Sequence, residues 1–244
     1  MIDKKNGFTN LVTRASYPVD TSVEIQSGMV AFLTTDANGE VVATTAANST
    51  NGVPIGAFWK DAASAYVRAW VESGTFNSSD VIYLSKGNVH SVSEIKVTNV
   101  AGTVTYTQGA DFSVVLTNGV VTNLGGLIPA LGTVIVSYNY SVQPGHEFWE
   151  NSSTKWSMGS NYDRMPDDTL GSGKIAVLEG NATFYTDQYE VTDTFALNDA
   201  LRANLTSSRW TNQAAGSSSI CGRCVKVPSD TDPFLGVAMI RIAS

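Results

Sequence analysis

The sequence predicts an all-β protein, and two observations lead to that conclusion. Apolar and polar side chains alternate in many short runs, which is typical of half-buried strands. Gly, Asn, Asp and Pro residues separate these runs along the whole chain. Residues 196–205 also have a helical spacing, through Leu197, Leu201 and Leu205. We nevertheless predict a strand at residues 200–205, because residues 201–206 can be aligned with residues 29–34 in the other half of the chain.

The clearest alternation lies between residues 95 and 140, in three runs: Ile95/Val97/Asn99, Phe112/Val114/Leu116 and Val134/Val136/Tyr138/Tyr140. Asn118-Gly119 follows the second run and predicts a type I′ hairpin turn, which requires positive φ at both central residues. No residue from 112 to 145 is charged. Asn118 and Pro129 interrupt this stretch and its period is two, so it does not have the pattern of a membrane span. We predict an inserted module of β-hairpins at residues 91–143.

The remaining chain is predicted to form short strands and turns in residues 21–90 and again from residue 175 onward. Residues 144–172 are irregular and rich in Gly, Pro and Asp. The last strand, residues 235–242, is apolar on both faces as far as Arg241, so we expect it to be central in its sheet. We predict that residues 21–90 and 144–244 together form the main domain, built from small β-barrel or sandwich units.

A weak internal repeat suggests that this main domain consists of duplicated halves. Three pairs of segments can be aligned: 71–76 with 178–184, 29–34 with 201–206, and 55–60 with 221–226. The order of the segments differs between the two halves, which weakens the comparison.

Residues 1–20 have the composition of an N-terminal arm, with apolar side chains scattered among Asn, Thr and Arg14. Such a segment either lies on a neighbouring subunit or is a frayed terminus. Trp149 and Trp156 in the irregular segment either cap a core or anchor a partner. The candidate partner-contact residues are Phe8, Leu11, Val12, Arg14, Tyr17, Trp149 and Trp156.

The composition restricts the function. Only 15% of the residues are charged and 43% are apolar, which suits a protein packed against neighbours. The net charge of −7 and the lack of Lys/Arg clusters argue against direct nucleic-acid binding. The first residues lack the apolar segment of a secretory signal, and two cysteines cannot form a disulfide framework. We expect no membrane association.

The only motif of a redox or metal-binding type is Cys221-Gly222-Arg223-Cys224. A redox CxxC motif begins a helix, whereas strand-forming residues flank this one. His90 and His146, the two histidines, are far from it in the sequence and give no second pair of zinc ligands. Asp167-Asp168 fits a turn better than a catalytic pair. We therefore predict no catalytic residue, no metal site and no cofactor.

Two sets of residues resemble known virion proteins. Residues 105–112 (TYTQGADF), Asn118-Gly119-Val120-Val121 and residues 134–138 (VIVSY) resemble a β module that is common in tailed-bacteriophage virion proteins. Residues 228–237 (PSDTDPFLGV), with 173–177 and 186–189, resemble small barrel-type capsid decoration proteins.

The resemblance implies a decoration, or cement, protein on the capsid surface of a virion, made in the host cytoplasm. Its expected partners are the major capsid protein and further copies of itself, most simply as a homotrimer. One alternative is a tail tube protein, which forms stacked hexameric rings. A second alternative is a carbohydrate- or receptor-binding appendage.

Overall fold

The computed structural model describes residues 12–20, 22–59, 66–142 and 174–240. Within these ranges the chain forms seventeen strands and two 3₁₀ turns, Ala46–Asn48 and Val92–Glu94, and no α-helix. The predicted all-β class is therefore confirmed. The described strands form open antiparallel sheets, as in a sandwich, and none of these sheets closes into the predicted barrel. These ranges contain no helical segment able to span a lipid bilayer.

In chain order the strands are β1 (Val12–Pro18), β2 (Val30–Thr35), β3 (Val41–Thr44), β4 (Gly56–Phe58), β5 (Tyr66–Thr75), β6 (Val81–Tyr83), β7 (Ile95–Asn99), β8 (Thr105–Tyr106), β9 (Phe112–Val115), β10 (Val120–Asn123), β11 (Thr133–Val142), β12 (Lys174–Gly180), β13 (Ala182–Thr186), β14 (Ala200–Ala203), β15 (Trp210–Thr211), β16 (Gly222–Lys226) and β17 (Leu235–Met239).

Two five-stranded sheets form the body of the protein. The first has the order β1-β12-β4-β2-β3 and the second has the order β13-β17-β16-β14-β15. When the strands of each sheet are numbered along the chain, both orders become 1-5-4-2-3, and all neighbouring strands are antiparallel. We call these sheets the first unit and the second unit. Two halves related by duplication would have this shared order.

The residue pairing agrees between the two units. Phe58 on the fourth strand of the first unit pairs with Val177, and Cys224 on the fourth strand of the second unit pairs with Val237. The alignment of residues 55–60 with 221–226 therefore joins equivalent strands. The alignment of residues 29–34 with 201–206 also joins equivalent strands, but it is displaced by two residues from the observed pairing. The alignment of 71–76 with 178–184 is wrong, because β5 belongs to neither unit. The duplication stays a prediction, which the shared order supports.

Strands β5 to β11 form two further sheets, with the orders β5-β11-β7-β8 and β6-β10-β9, between the fourth and fifth strands of the first unit. β5 pairs with β11 along its whole length, from Tyr66↔Val142 to Thr75↔Thr133. The paired strands thus begin at Tyr66, whereas the predicted module begins at residue 91. We use the name module for residues 66–142.

Three clusters of buried side chains hold these sheets together. One cluster joins the two units, with Phe32 and Leu178 from the first unit and Trp210 and Val237 from the second. A second cluster lies inside the module and contains all four alternating residues of β11. The third covers the other face of the first unit. The units therefore pack face to face through burial of apolar side chains, as in a sandwich.

Two predictions about the C-terminal region are confirmed. β17 lies between β13 and β16, so the final strand is central in its sheet. Residues 200–203 form the strand β14, in which Leu201 and Ala203 are buried, while Leu197 is 64% exposed. The chain does not form a helix here. Leu201 and Ala203 are two residues apart, so they lie on the same face of the strand, and this face packs against the core.

The Asn118-Gly119 turn joins β9 and β10, as the sequence predicts, but its type differs. Val115 pairs with Val120, which leaves a four-residue connection closed by a hydrogen bond from Gly119 N to Val115 O of 3.0 Å. Of this pair, Gly119 alone has positive φ, at +63°. The prediction of a type I′ turn is wrong, because the inward-facing residues of the two strands set a register with a longer loop.

Candidate interaction surfaces

The predicted partner-contact residues are only partly described. Val12 and Arg14 lie in β1, which is paired along its length with β12. Residues 12–18 are therefore a strand of the protein's own sheet, not a free arm. Phe8, Leu11, Trp149 and Trp156 lie outside the described residues, as do His146, Asp167 and Asp168. Of the predicted set, Tyr17 is the residue whose side-chain contacts can be stated.

Tyr17 faces a cleft that is lined by residues of both units. Its hydroxyl donates a hydrogen bond to Glu179 Oε1 on the neighbouring strand. Burial, strengthened by the Glu179 carboxylate, raises the pKa of Tyr17 to about 12. The cleft has a volume of about 290 Å³ and is also lined by Ile55, Met239 and Ile240. The cleft thus combines apolar side chains with a hydrogen-bonded hydroxyl–carboxylate pair, which suits the binding of a partner's side chain.

The two thiols are packing residues. Cys221 and Cys224 are buried and do not form a disulfide. Burial raises the pKa of Cys221 to about 12 and also raises that of Cys224, so both remain neutral thiols at physiological pH. The equivalent positions in the first unit are Ile55 and Phe58, which are apolar. Among the described residues, no group of His, Cys, Asp and Glu side chains could hold a metal ion.

His90 belongs to a polar joint between the module and the second unit. Its Nδ1 lies 2.7 Å from Glu94 Oε2, and Arg209 Nη1 lies 3.3 Å from Glu94 Oε1. Asn139 Nδ2 donates to the same carboxylate at 3.1 Å. Burial acts to raise the pKa of Glu94, but the Arg209 guanidinium and these hydrogen bonds lower it below its ordinary value. Together, these contacts orient the module relative to the second unit.

Asp111 explains part of the motif in residues 105–112. Its Oδ2 accepts a hydrogen bond from the Thr107 N–H at 2.7 Å, and its Oδ1 accepts one from the Leu127 N–H at 2.7 Å. These two bonds lower the pKa of Asp111. One carboxylate therefore fixes both the turn before β9 and the loop after β10. This role is structural, and it positions the loop described next.

The outer face of the sheet β6-β10-β9 lacks charged residues. Tyr83, Val120 and Val115 lie in one cross-strand row, and Val81, Thr122 and Ser113 lie in the adjacent row. Tyr83 is 71% exposed and Val115 is 49% exposed. Half-exposed sheets normally carry polar side chains on the solvent side, so this apolar row is unusual.

The loop from Leu124 to Leu131, which follows β10, extends this apolar character. Leu127 is 71% exposed and Leu131 is 60% exposed. Leu131 has φ +56° and occupies the third position of a turn closed by a bond from Gly132 N to Pro129 O of 2.9 Å. A bulky side chain is strained at that position, where glycine or asparagine is usual. We call the residues Tyr83, Val115, Val120, Leu124, Leu127 and Leu131 the uncharged surface.

Sequence reasoning placed Tyr83 in the main domain and the other five residues in the predicted module at 91–143, and it did not identify them as a surface. The uncharged stretch from residue 112 to 145 was a visible signal, but alternation alone does not show which face is covered. The exposed face became evident only from the pairing of β10 with β6 and β9.

The described surfaces offer clefts and apolar contact areas. Comparison of the chain with protein-family models, with curated proteins and with solved structures found no match.

Proposed function

We propose that this chain is a bacteriophage capsid decoration protein, located on the capsid surface, that bridges subunits of the major capsid protein. The observation that carries the proposal is the pair of units with the same strand order in one chain. The resemblance of residues 105–138 and 228–237 to virion proteins adds to it.

Two like units suit a shell because a capsid presents the same surface many times in a regular array. Each unit can bind the same kind of site on one of two adjacent subunits. Once one unit is bound, the second binds at a high effective concentration, so two weak contacts give a strong bridge. Such a bridge raises the work needed to separate the subunits under internal DNA pressure, without any chemical reaction.

The chemistry of the described residues favours this non-enzymatic role. The thiols are neutral and buried, and His90 pairs with Glu94 in a joint. The cleft beside Tyr17 combines apolar side chains with the hydrogen-bonded pair of Tyr17 and Glu179. The net charge of −7 favours binding to protein surfaces over binding to DNA. Further copies of the chain, in a homotrimer, complete the proposed assembly.

Binding to empty, expanded heads of the source phage tests the proposal. We expect the purified chain to sediment with the heads at saturable stoichiometry and to raise the temperature at which they disrupt. A chain lacking residues 1–11 but keeping β1 is the matched variant for the predicted arm. Weaker binding by this variant, with unchanged thermal unfolding, would assign the arm to the capsid contact.

Two outcomes contradict the proposal. Rings or stacked tubes of the purified chain in negative-stain images would identify the tail tube alternative. Heads that neither bind the chain nor gain stability, together with specific retention of the chain on a glycan array, would identify a receptor-binding appendage.

A further inference from the structure

We infer that the uncharged surface of the module is the contact through which one copy of this chain binds a second copy. The inference rests on the proposed function in one respect: a protein that assembles on a shell as an oligomer needs a contact between copies. It assigns that contact to the module rather than to the two units.

The first argument is the distribution of charge. Residues 66–142 contain three basic and four acidic side chains, a net charge of −1, so the remainder of the chain carries −6 of the total −7. Two copies that meet through the units bring like charges together. Two copies that meet through the uncharged surface avoid this repulsion. A face without charge also gives no preference to an oppositely charged partner.

The second argument is the chemistry of the surface. Interface centres are enriched in aromatic and apolar side chains and depleted of charge. Tyr83 and Leu127 are each 71% exposed, and neither belongs to the buried cluster of the module. Tyr83, Val120 and Val115 are cross-strand neighbours in one row, and adjoining exposed apolar side chains mark contact sites more often than isolated ones do.

The third argument is the strain at Leu131. This side chain sits at φ +56° and is 60% exposed, so folding of the monomer gains little from it. Glycine at the same position would remove the strain. A strained residue that contributes little to the monomer core indicates a role outside it.

Sedimentation of the full-length chain over a wide concentration range tests the inference. We expect a reversible oligomer, and we expect Leu127→Ser to weaken its association about tenfold or more, because the contact loses a buried leucine. Leu197→Ser is the matched control, since Leu197 is a 64% exposed leucine in the second unit. It should leave the association unchanged. Circular dichroism confirms that both variants stay folded.

Leu131→Gly separates folding from association. We expect this variant to melt at a higher temperature than the wild type, because the backbone strain is relieved, and to associate more weakly. A merely structural role would raise the melting temperature and leave the association constant unchanged.

The inference is overturned by a wild-type chain that stays monomeric at all concentrations. Equal effects of Leu127→Ser and Leu197→Ser, or undiminished association of Leu131→Gly, also overturn it. The head-binding assay is separate: head binding by a monomeric Leu127→Ser chain supports the proposed function alone. Failure of all forms to bind heads, with the sedimentation effects intact, would remove the proposed function and leave this contact in place.

Discussion

The first and second units have the same strand order but reach it with different side chains. At equivalent positions of the third strand, the first unit has Ala43 paired with Leu33, while the second has Trp210 paired with Ala203. On the fourth strand, Phe58 in the first unit corresponds to Cys224 in the second. The strand order therefore does not depend on particular side chains.

The units also differ in continuity. In the second unit, β16 is followed directly in the chain by its partner β17, whereas in the first unit the whole module separates β4 from β12. The pairing is nevertheless the same. A long insertion is tolerated when its two ends leave and re-enter the sheet close together, because the loop-closure cost grows only slowly with length.

Removal of the Trp210 side chain should destabilise the second unit. Trp210 is fully buried, donates from Nε1 to Gly28 O at 2.9 Å and packs edge-on against Phe184. We expect Trp210→Ala to lower the free energy of unfolding by about 3–5 kcal/mol, measured by urea denaturation. Leu197→Ala, at an exposed site, should change it by about 0.5 kcal/mol or less. Similar losses for both variants would contradict the assigned core.

Substitution at the joint between the module and the second unit should have the next largest effect on stability. Arg209→Ala leaves the partly buried Glu94 carboxylate without its cation. We expect a loss of about 1–3 kcal/mol in the free energy of unfolding. A double-mutant cycle with Glu94→Gln should recover part of this loss, because the two residues are coupled. Strictly additive effects would show that the pair does not hold the joint.

Substitution and labelling of the two thiols test the comparison of the fourth strands. Because the first unit has Ile55 and Phe58 there, we expect Cys221→Val and Cys224→Val each to cost less than about 1.5 kcal/mol in the free energy of unfolding. In the native protein at pH 8, both thiols should react with Ellman's reagent only as fast as the chain unfolds. Rapid stoichiometric labelling of the folded chain would contradict their assignment as buried neutral groups.

Substitution of Asp111, in the module that interrupts the first unit, should have the smallest effect on stability. Its folded pKa is lowered by two backbone hydrogen bonds, so its carboxylate stabilises the fold above the ordinary pKa of about 3.9. That contribution is lost as the pH falls through the lowered folded pKa. Urea unfolding of wild type and Asp111→Asn should therefore differ near neutral pH and converge on acidification. A difference that is constant with pH would contradict this role.

Some features of the fold could be predicted from local sequence. The alternating residues of β11 are all buried, and β17 is central because both of its faces are apolar. The start of the module was missed, because the pattern of β5 is equally consistent with any half-buried sheet. Its partner β11 lies far away in the chain, and no local signal names it.

The candidate surfaces were harder to predict than the fold. Tyr17 was assigned to a partner contact, and its side chain lies in a cleft that also contacts Glu179. Tyr83 and Leu127 were not singled out, since a tyrosine or leucine in an alternating or apolar segment is usually buried. Exposure depends on which sheet face is covered, and that is a property of packing.

The sequence by itself determined the strand-forming character of the chain, because side-chain alternation and turn residues act over a few neighbouring residues. It also determined the absence of charge from residues 112–145. Only the tertiary structure decided which strands pair, that two units share one order, and that the residues of the uncharged surface face outward. Those features depend on contacts between residues far apart in the chain, whose free energy appears only when the sheets have formed.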